Sequence, residues 1–184
     1  MAFVDLARNQ LVLKVVLAGP PAVGKTTRLL QLALSEGLVE YGGQNSGVTQ
    51  MAALRLDRAE GQRTVVIEVY EWHGHETADV RGKALFTGLD GVIYVADARE
   101  DRYVDTKNTY EYLCKNMGRT RINRLPGLLL IGQSDEGLLR LGSFKSVFSR
   151  GPTWSQKLEI SPDDSTAFRE SVLLFAEAML ARNV

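Results

Sequence analysis

Residues 19–26 have the sequence Gly-Pro-Pro-Ala-Val-Gly-Lys-Thr. This stretch satisfies the spacing G-x-x-x-x-G-K-[ST] of a phosphate-binding loop, which requires a strand before it and a helix after it. The apolar run Leu11–Ala18 precedes the loop, and a helical pattern over Thr26–Ser35 follows it. The sequence therefore predicts a nucleotide site in which backbone amides and a helix N-terminus face phosphate oxygens.

The loop gives its residues separate roles. We expect Lys25 to place its ammonium near the β- and γ-phosphates, where it also assists catalysis, and Thr26 to ligate magnesium. The nucleotide contacts predicted in this stretch are Gly19, Ala22, Val23, Gly24, Lys25, Thr26 and Thr27. A glycine-rich turn that joins a strand to a helix and binds no ligand is the alternative.

Composition limits the kinds of partner. The chain has 184 residues, of which 45% are hydrophobic, and its 22 basic residues balance its 22 acidic ones. A sizeable core and no overall charge favour one domain over residues 1–184 and disfavour binding to nucleic acid. No apolar run approaches the roughly 20 residues of a membrane span, and the N-terminus lacks a signal-peptide pattern. We expect a cytoplasmic protein without a direct membrane anchor.

The hydrophobic pattern alternates between strands and helices, which predicts an α/β fold with a three-layer sandwich of about six strands. The predicted strands are Leu11–Ala18, Met51–Asp57, Thr64–Tyr70, Gly91–Asp97, Gly127–Gly132 and Lys157–Ile160. Because Ala59–Gln62 is too short for a crossover helix, the second and third of these strands should form an antiparallel hairpin in an otherwise parallel sheet.

Helical spacing and capping residues predict four helical segments: Thr26–Ser35, a short piece within Asp79–Phe86, Tyr103–Asn116 and Pro162–Arg182. Ser161 followed by Pro162 has the pattern of an N-cap and first helical residue for the last of them. For residues 137–156 we predict a loop with at most one short helix.

Three further stretches carry a family resemblance. The opening Met-Ala-Phe, residues Lys14–Pro20 with the doubled Thr26-Thr27, and Gly88–Asp97 resemble the bacterial MglA-type Ras-like GTPases, which set cell polarity. The resemblance implies a small-GTPase fold that binds GTP or GDP with Mg²⁺ and hydrolyses GTP slowly. It also implies effectors and a regulatory protein such as a roadblock-type GAP or an exchange factor.

The resemblance assigns roles to the segment after the third predicted strand. Glu71 stands where Ras-like proteins hold magnesium, although they have Asp there and MglA-type proteins have Thr. Glu68 is the alternative acid for this metal. Gly74 matches the glycine whose amide meets the γ-phosphate. His75 replaces the usual Gln and is the candidate to position the attacking water.

The remaining assignments lie in two loops and at one strand end. Thr49 is the candidate switch threonine for Mg²⁺ and the γ-phosphate. Only the aspartate of the family's base-reading motif is present, so Asp135 and Gln133 are the candidate guanine contacts. Ser161 falls at the last base-contacting loop.

Two other functions stay open at this point. A degenerate relative that holds nucleotide as a scaffold without significant turnover fits the departures at Glu71 and around Asp135. An ATP-using P-loop protein fits the incomplete guanine motif.

Overall fold

The computed structural model describes residues 2–36, 51–60, 63–72, 85–132, 139, 141–161 and 163–182. Its strands are β1 Phe3–Asp5, β2 Gln10–Ala18, β3 Met51–Glu60, β4 Arg63–Glu71, β5 Gly91–Asp97, β6 Pro126–Gly132 and β7 Thr153–Ile160. Its helices are α1 Lys25–Glu36, α2 Tyr103–Met117, α3 Arg119–Ile122 and α4 Ser165–Arg182, with 3₁₀ turns at Glu100–Arg102, Leu141–Phe144 and Val147–Ser149.

These strands form one sheet in the order β3-β4-β2-β5-β6-β7, with β1 paired to β2. Strands β4, β2, β5, β6 and β7 run parallel to one another, whereas β3 pairs with β4 antiparallel. The predicted α/β fold and its hairpin are therefore confirmed.

Within the described residues the sheet has seven strands, one more than the approximate count predicted. The additional strand, β1, pairs antiparallel with the start of β2 over only three residues. A strand this short gives no measurable alternation of apolar and polar residues. The Asp5 carboxylate accepts hydrogen bonds from the amides of Ala7 and Arg8, which turns the chain from β1 into β2.

Helices cover both faces of the sheet. One hydrophobic cluster joins α1 and α4 to alternate residues of the central strands, including Leu13, Val15 and Leu17. The other cluster joins α2 and α3 to the residues between them, including Val16 and Ala18. The central strands are apolar on both faces because both are covered, as expected for parallel strands in an α/β protein.

The predicted start of the last helix is wrong. Helix α4 begins at Ser165, and the side chain of Asp164 accepts a hydrogen bond from the Ala167 amide at 2.9 Å. Asp164, not Ser161, is therefore the capping residue. The last strand is also longer than predicted, beginning at Thr153 instead of Lys157. Of the short helix predicted within Asp79–Phe86, only Leu85 and Phe86 lie in the described residues.

Candidate nucleotide-binding site

The phosphate loop connects β2 to α1, and its two motif glycines are required for different reasons. A Cβ atom at Gly19 would collide with the backbone carbonyl oxygen of Val95 in β5. Gly24 has open space around it but a φ of +82°, a conformation that costs residues with a Cβ. Gly19 therefore lets the loop lie close to the sheet, and Gly24 lets it turn into the helix.

A third loop residue adopts a left-handed conformation although it has a side chain. Ala22 has φ of +59° and is exposed. Non-glycine residues in this region carry strain and are found preferentially at functional sites. Its neighbour Val23 is buried in the cluster beneath α1, so its side chain anchors the loop and leaves its backbone to contact ligand. Thr27, in contrast, places its side chain at the surface.

Lys25 lies beneath the loop and is only 5% exposed. Its ammonium donates hydrogen bonds to the carbonyl oxygens of Gly19 at 2.9 Å and Pro20 at 2.8 Å. Burial lowers the pKa of Lys25, while the negative charge of Glu71 acts in the opposite direction. An ammonium has three donors, so it can hold both carbonyls and still donate to a phosphate oxygen.

Thr26 and Glu71 meet where the loop faces the end of β4. The Thr26 hydroxyl donates to the Glu71 carboxylate, 2.9 Å from Oε1 and 3.1 Å from Oε2. Glu71 is buried, with 1% of its surface exposed, so this carboxylate lies inside the site. A hydroxyl and a carboxylate are hard oxygen ligands of the kind that Mg²⁺ takes, with water and phosphate completing its coordination. The two side chains therefore fit a magnesium ion.

The other acid considered on this strand is elsewhere. Glu68 accepts a hydrogen bond from the Tyr70 hydroxyl at 2.7 Å. Side chains of a strand alternate between its faces, so Glu68 and Glu71 point to opposite sides of the sheet. The structure therefore favours Glu71 over Glu68 as the acid beside Thr26.

Trp72 fixes the end of the strand that carries Glu71. Its amide donates to the Leu17 carbonyl at 2.9 Å, and its indole stacks on Tyr112 of α2 with ring centroids 5.9 Å apart. Because Trp72 is buried between the sheet and α2, the Glu71 backbone is held beside the end of β2, where the phosphate loop begins. The packing of one aromatic residue thus positions the carboxylate next to it.

An arginine outside the motif also contacts the phosphate loop. Arg102, just before α2, donates to the Pro21 carbonyl at 2.9 Å. Its guanidinium lies 2.8 Å from the Asp105 carboxylate and 3.7 Å from that of Asp97, which ends β5. Arg99 forms a second, two-pronged pair with Asp97. This network connects the phosphate loop at Pro21 to the end of β5, the strand beside β2 in the sheet. The sequence motif does not indicate it.

A second arginine outside the motif is buried one turn into α1. Arg28 donates from Nη2 to the Ile160 carbonyl at the end of β7, at 3.1 Å. Ser161, the predicted base contact, follows directly and is half-buried. The sequence signal for this burial is the spacing of Arg28 four residues before Leu32, on the buried face of α1.

The structure therefore brings Gly19, Gly24, Lys25, Thr26 and Glu71 together around one loop. The positions of Thr49, Gly74, His75, Gln133 and Asp135 lie outside the described residues. Their assigned roles stay predictions.

A cavity of about 820 Å³ lies elsewhere, between α2 and the 3₁₀ turns before β7. None of its lining residues belongs to the phosphate loop, so it is separate from the candidate nucleotide site. Within the described ranges, no three His, Cys, Asp or Glu side chains cluster to hold a metal ion. No helix in that same part of the chain is long and apolar enough to cross a membrane.

The chain is similar to the mutual gliding-motility protein MglA of Myxococcus xanthus (strain DK1622). The two are 25% identical over 146 residues, which cover 73% of this chain and 74% of that protein. The chain matches no protein-family profile. The similarity supports a distant relationship to MglA-like small GTPases.

Proposed function

We propose that this chain is a single-domain guanine-nucleotide switch that binds GTP with Mg²⁺ and slowly hydrolyses it to GDP. The observation that carries the proposal is the hydrogen-bonded pair of half-buried Thr26 and buried Glu71 beside the buried Lys25. A phosphate loop alone is common to many nucleotide-binding proteins. A hydroxyl and a buried carboxylate placed beside its lysine would supply ligands for the metal that accompanies a nucleoside triphosphate.

The chain's own residues would bind the phosphates. Loop amides from Ala22 to Thr26 and the N-terminus of α1 favour negative charge, and the left-handed backbone of Ala22 shapes the loop there. Lys25 adds a charge that is poorly solvated and already oriented by the Gly19 and Pro20 carbonyls. Less rotational freedom is then lost when the ammonium binds a phosphate oxygen.

Thr26 and Glu71 would hold Mg²⁺ together with the predicted switch threonine, Thr49. When bound, the ion neutralises phosphate charge as it develops during phosphoryl transfer. The Thr26 hydroxyl donates its proton to Glu71 and keeps its oxygen lone pairs, so it could contact a cation without losing that hydrogen bond.

Hydrolysis would be attack of water on the γ-phosphate. His75 is proposed to orient that water, and the amide of Gly74 and the ammonium of Lys25 to stabilise the transferred group. Trp72 supports this proposal, because it anchors the chain two residues before Gly74. At the other end of the nucleotide, Asp135 would accept the two guanine N–H donors, with Gln133 and Ser161 beside the ring.

The segments around Thr49 and residues 74–75 would change conformation with the γ-phosphate, and partner proteins would read that change. By analogy with a relative named for gliding motility, we propose regulation of polarity or motility. Such regulation would involve effectors and a roadblock-type GAP or an exchange factor.

The direct test is the identity of the bound nucleotide. Protein purified in parallel with the Lys25→Ala variant is denatured, and the released nucleotides are separated by ion-exchange chromatography. We expect GDP or GTP near one per chain in the parent and little in the variant. Adenine nucleotide would replace the proposal by an ATP-using function. GTP that stays intact in single-turnover assays, with and without a stimulating partner, would replace it by a nucleotide-holding scaffold.

A further inference from the structure

Arg28 is an unusual residue to find inside this fold. Its side chain is fully buried, with 0% of its surface exposed, and it cannot lose its charge at ordinary pH. Burial lowers the pKa of Arg28, opposed by the carboxylates of Asp163 and Asp164, but not enough to neutralise it. A charge in such a position is costly unless its surroundings offset the loss of water.

The surroundings offset that cost only in part. Nη2 donates to the Ile160 carbonyl, and the guanidinium lies 5.2 Å from the Phe168 ring centroid in α4. Nε and Nη1 are buried and have no hydrogen-bond partner among the residues that the structure describes. Replacing a poorly satisfied buried charge by an apolar side chain of similar size is often neutral or stabilising. Stability alone therefore gives no reason for an arginine here.

The position of Arg28 suggests a different role. Its backbone amide donates to the Gly24 carbonyl, so it lies one helical turn behind the phosphate loop. Its side chain ends on the last residue of β7, directly before Ser161. One side chain thus connects the helix that follows the phosphate loop to the strand end that carries the proposed base contact.

We propose that Arg28 is a positioning residue that couples the phosphate end of the nucleotide site to its base end. It holds the carboxyl end of β7, and with it Ser161, at a fixed distance from α1. This inference rests on the proposed function, because it assumes that one nucleotide spans both ends.

The test uses ligands that reach one end or both. Binding of GTP and of inorganic tripolyphosphate, each with Mg²⁺, is measured by calorimetry for the parent, Arg28→Met and Arg28→Lys. Arg124→Met, which changes an exposed arginine in the turn before β6, is the matched control. We expect Arg28→Met to weaken GTP at least about tenfold and tripolyphosphate less than about twofold, with an unchanged or higher melting temperature.

Lysine keeps one donor for the Ile160 carbonyl, so Arg28→Lys should recover part of the GTP affinity. Equal losses for both ligands in Arg28→Met, or no loss of GTP affinity in the folded variant, would overturn the coupling. A parent that binds GTP no more tightly than tripolyphosphate would also overturn it, since no base-end affinity would exist. A parent that binds neither ligand would instead contradict the proposed function.

A second measurement needs no variant and so remains decisive if Arg28→Met does not fold. Coupling is reciprocal, so a ligand that binds only at the phosphate end should also slow amide hydrogen exchange at the end of β7. Amide hydrogen exchange of the parent with tripolyphosphate should slow at Ser161, Asp163 and Asp164 as well as in the loop. Protection confined to the phosphate loop and α1 would overturn the proposal.

Discussion

The hydroxyl of Thr26 lies 2.9 Å from the nearer carboxylate oxygen of Glu71, and this contact joins the first turn of α1 to the last residue of β4. Two residues 45 positions apart in the chain therefore meet at the loop. Glu71 and Lys25 are buried and the Glu71 charge acts on the Lys25 ammonium, so both groups lie at one site with the half-buried Thr26.

Glu71→Gln should remove the contribution of magnesium to nucleotide binding, because an amide is a weaker ligand for Mg²⁺ than a carboxylate. We expect GTP affinity to fall at least about tenfold in Mg²⁺ and to match the parent in EDTA. Fluorescent-nucleotide titrations in both buffers measure this. Glu68→Gln, on the opposite face of β4, is the comparison and should keep the parent's response. If Glu68→Gln lost the magnesium response and Glu71→Gln kept it, Glu68 and not Glu71 would be the ligand of the ion.

Lys25→Ala should lower GTP affinity at least about tenfold, because a charged donor to phosphate is lost together with the two bonds that brace the loop. Circular dichroism and thermal melting check that the variant is folded. Lys107→Ala, which removes an exposed lysine of α2, is the matched control and should bind like the parent. Equal affinity in the Lys25 variant and the parent would contradict a phosphate-binding role for residues 19–26.

The fold could be predicted largely from local patterns. The phosphate loop has fixed spacing because its glycines meet specific demands at Gly19 and Gly24, and apolar runs mark the strands that are covered on both faces. Strand β1 has no comparable signal, since three residues form it and Phe3 is exposed. The cap of α4 was misplaced because Ser161, Asp163 and Asp164 can all cap a helix, and only tertiary geometry selects Asp164.

The site was predictable to a smaller extent. The motif identified Lys25 and Thr26, and the family resemblance assigned Glu71 to the same magnesium ion as Thr26. The structure places the Glu71 carboxylate at hydrogen-bond distance from the Thr26 hydroxyl. Arg28 and Arg102 were missed because arginine is usually exposed, and nothing local specifies their distant partners. Those partners, Ile160 and Pro21, are 132 and 81 residues away, and only folding brings them close.

Acid should weaken the attachment of β5 to the turn before α2. Burial alone would raise the pKa of Asp97, but hydrogen bonds and charge from Arg99, with the charge of Arg102, lower it below 3.8. The carboxylate's contribution to folding is therefore complete above about pH 3.8 and is lost as the pH falls through the lower folded-state pKa. Urea unfolding should show Asp97→Asn less stable than the parent at pH 7, with the gap closing below this pH. A gap that stays constant down to pH 2 would contradict the ion-pair assignment.

Asp135 should give guanine its advantage over adenine. We expect GTP to outcompete ATP by at least about tenfold, or 1.4 kcal/mol, because guanine offers two N–H donors to one carboxylate. Competition against a fluorescent GTP analogue measures the ratio. Asp135→Asn should reduce it towards one and improve relative binding of xanthosine triphosphate, whose base presents an acceptor where guanine has an amino donor. Equal competition by ATP in the parent would remove the guanine assignment.

His75 is the residue whose substitution separates a GTPase from a scaffold. Turnover of Ras-like domains without an added arginine is about 10⁻⁴ per second, so a slow rate alone does not distinguish the two. If the imidazole orients water, His75→Ala should lower single-turnover hydrolysis at least about tenfold, or 1.4 kcal/mol of barrier. GTP affinity should change little, since this contact belongs to the transition state. His73→Ala, two residues earlier, is the matched control. Hydrolysis that is the same in His75→Ala and the parent, alone and with a stimulating partner, would exclude His75 from the reaction and favour the nucleotide-holding scaffold.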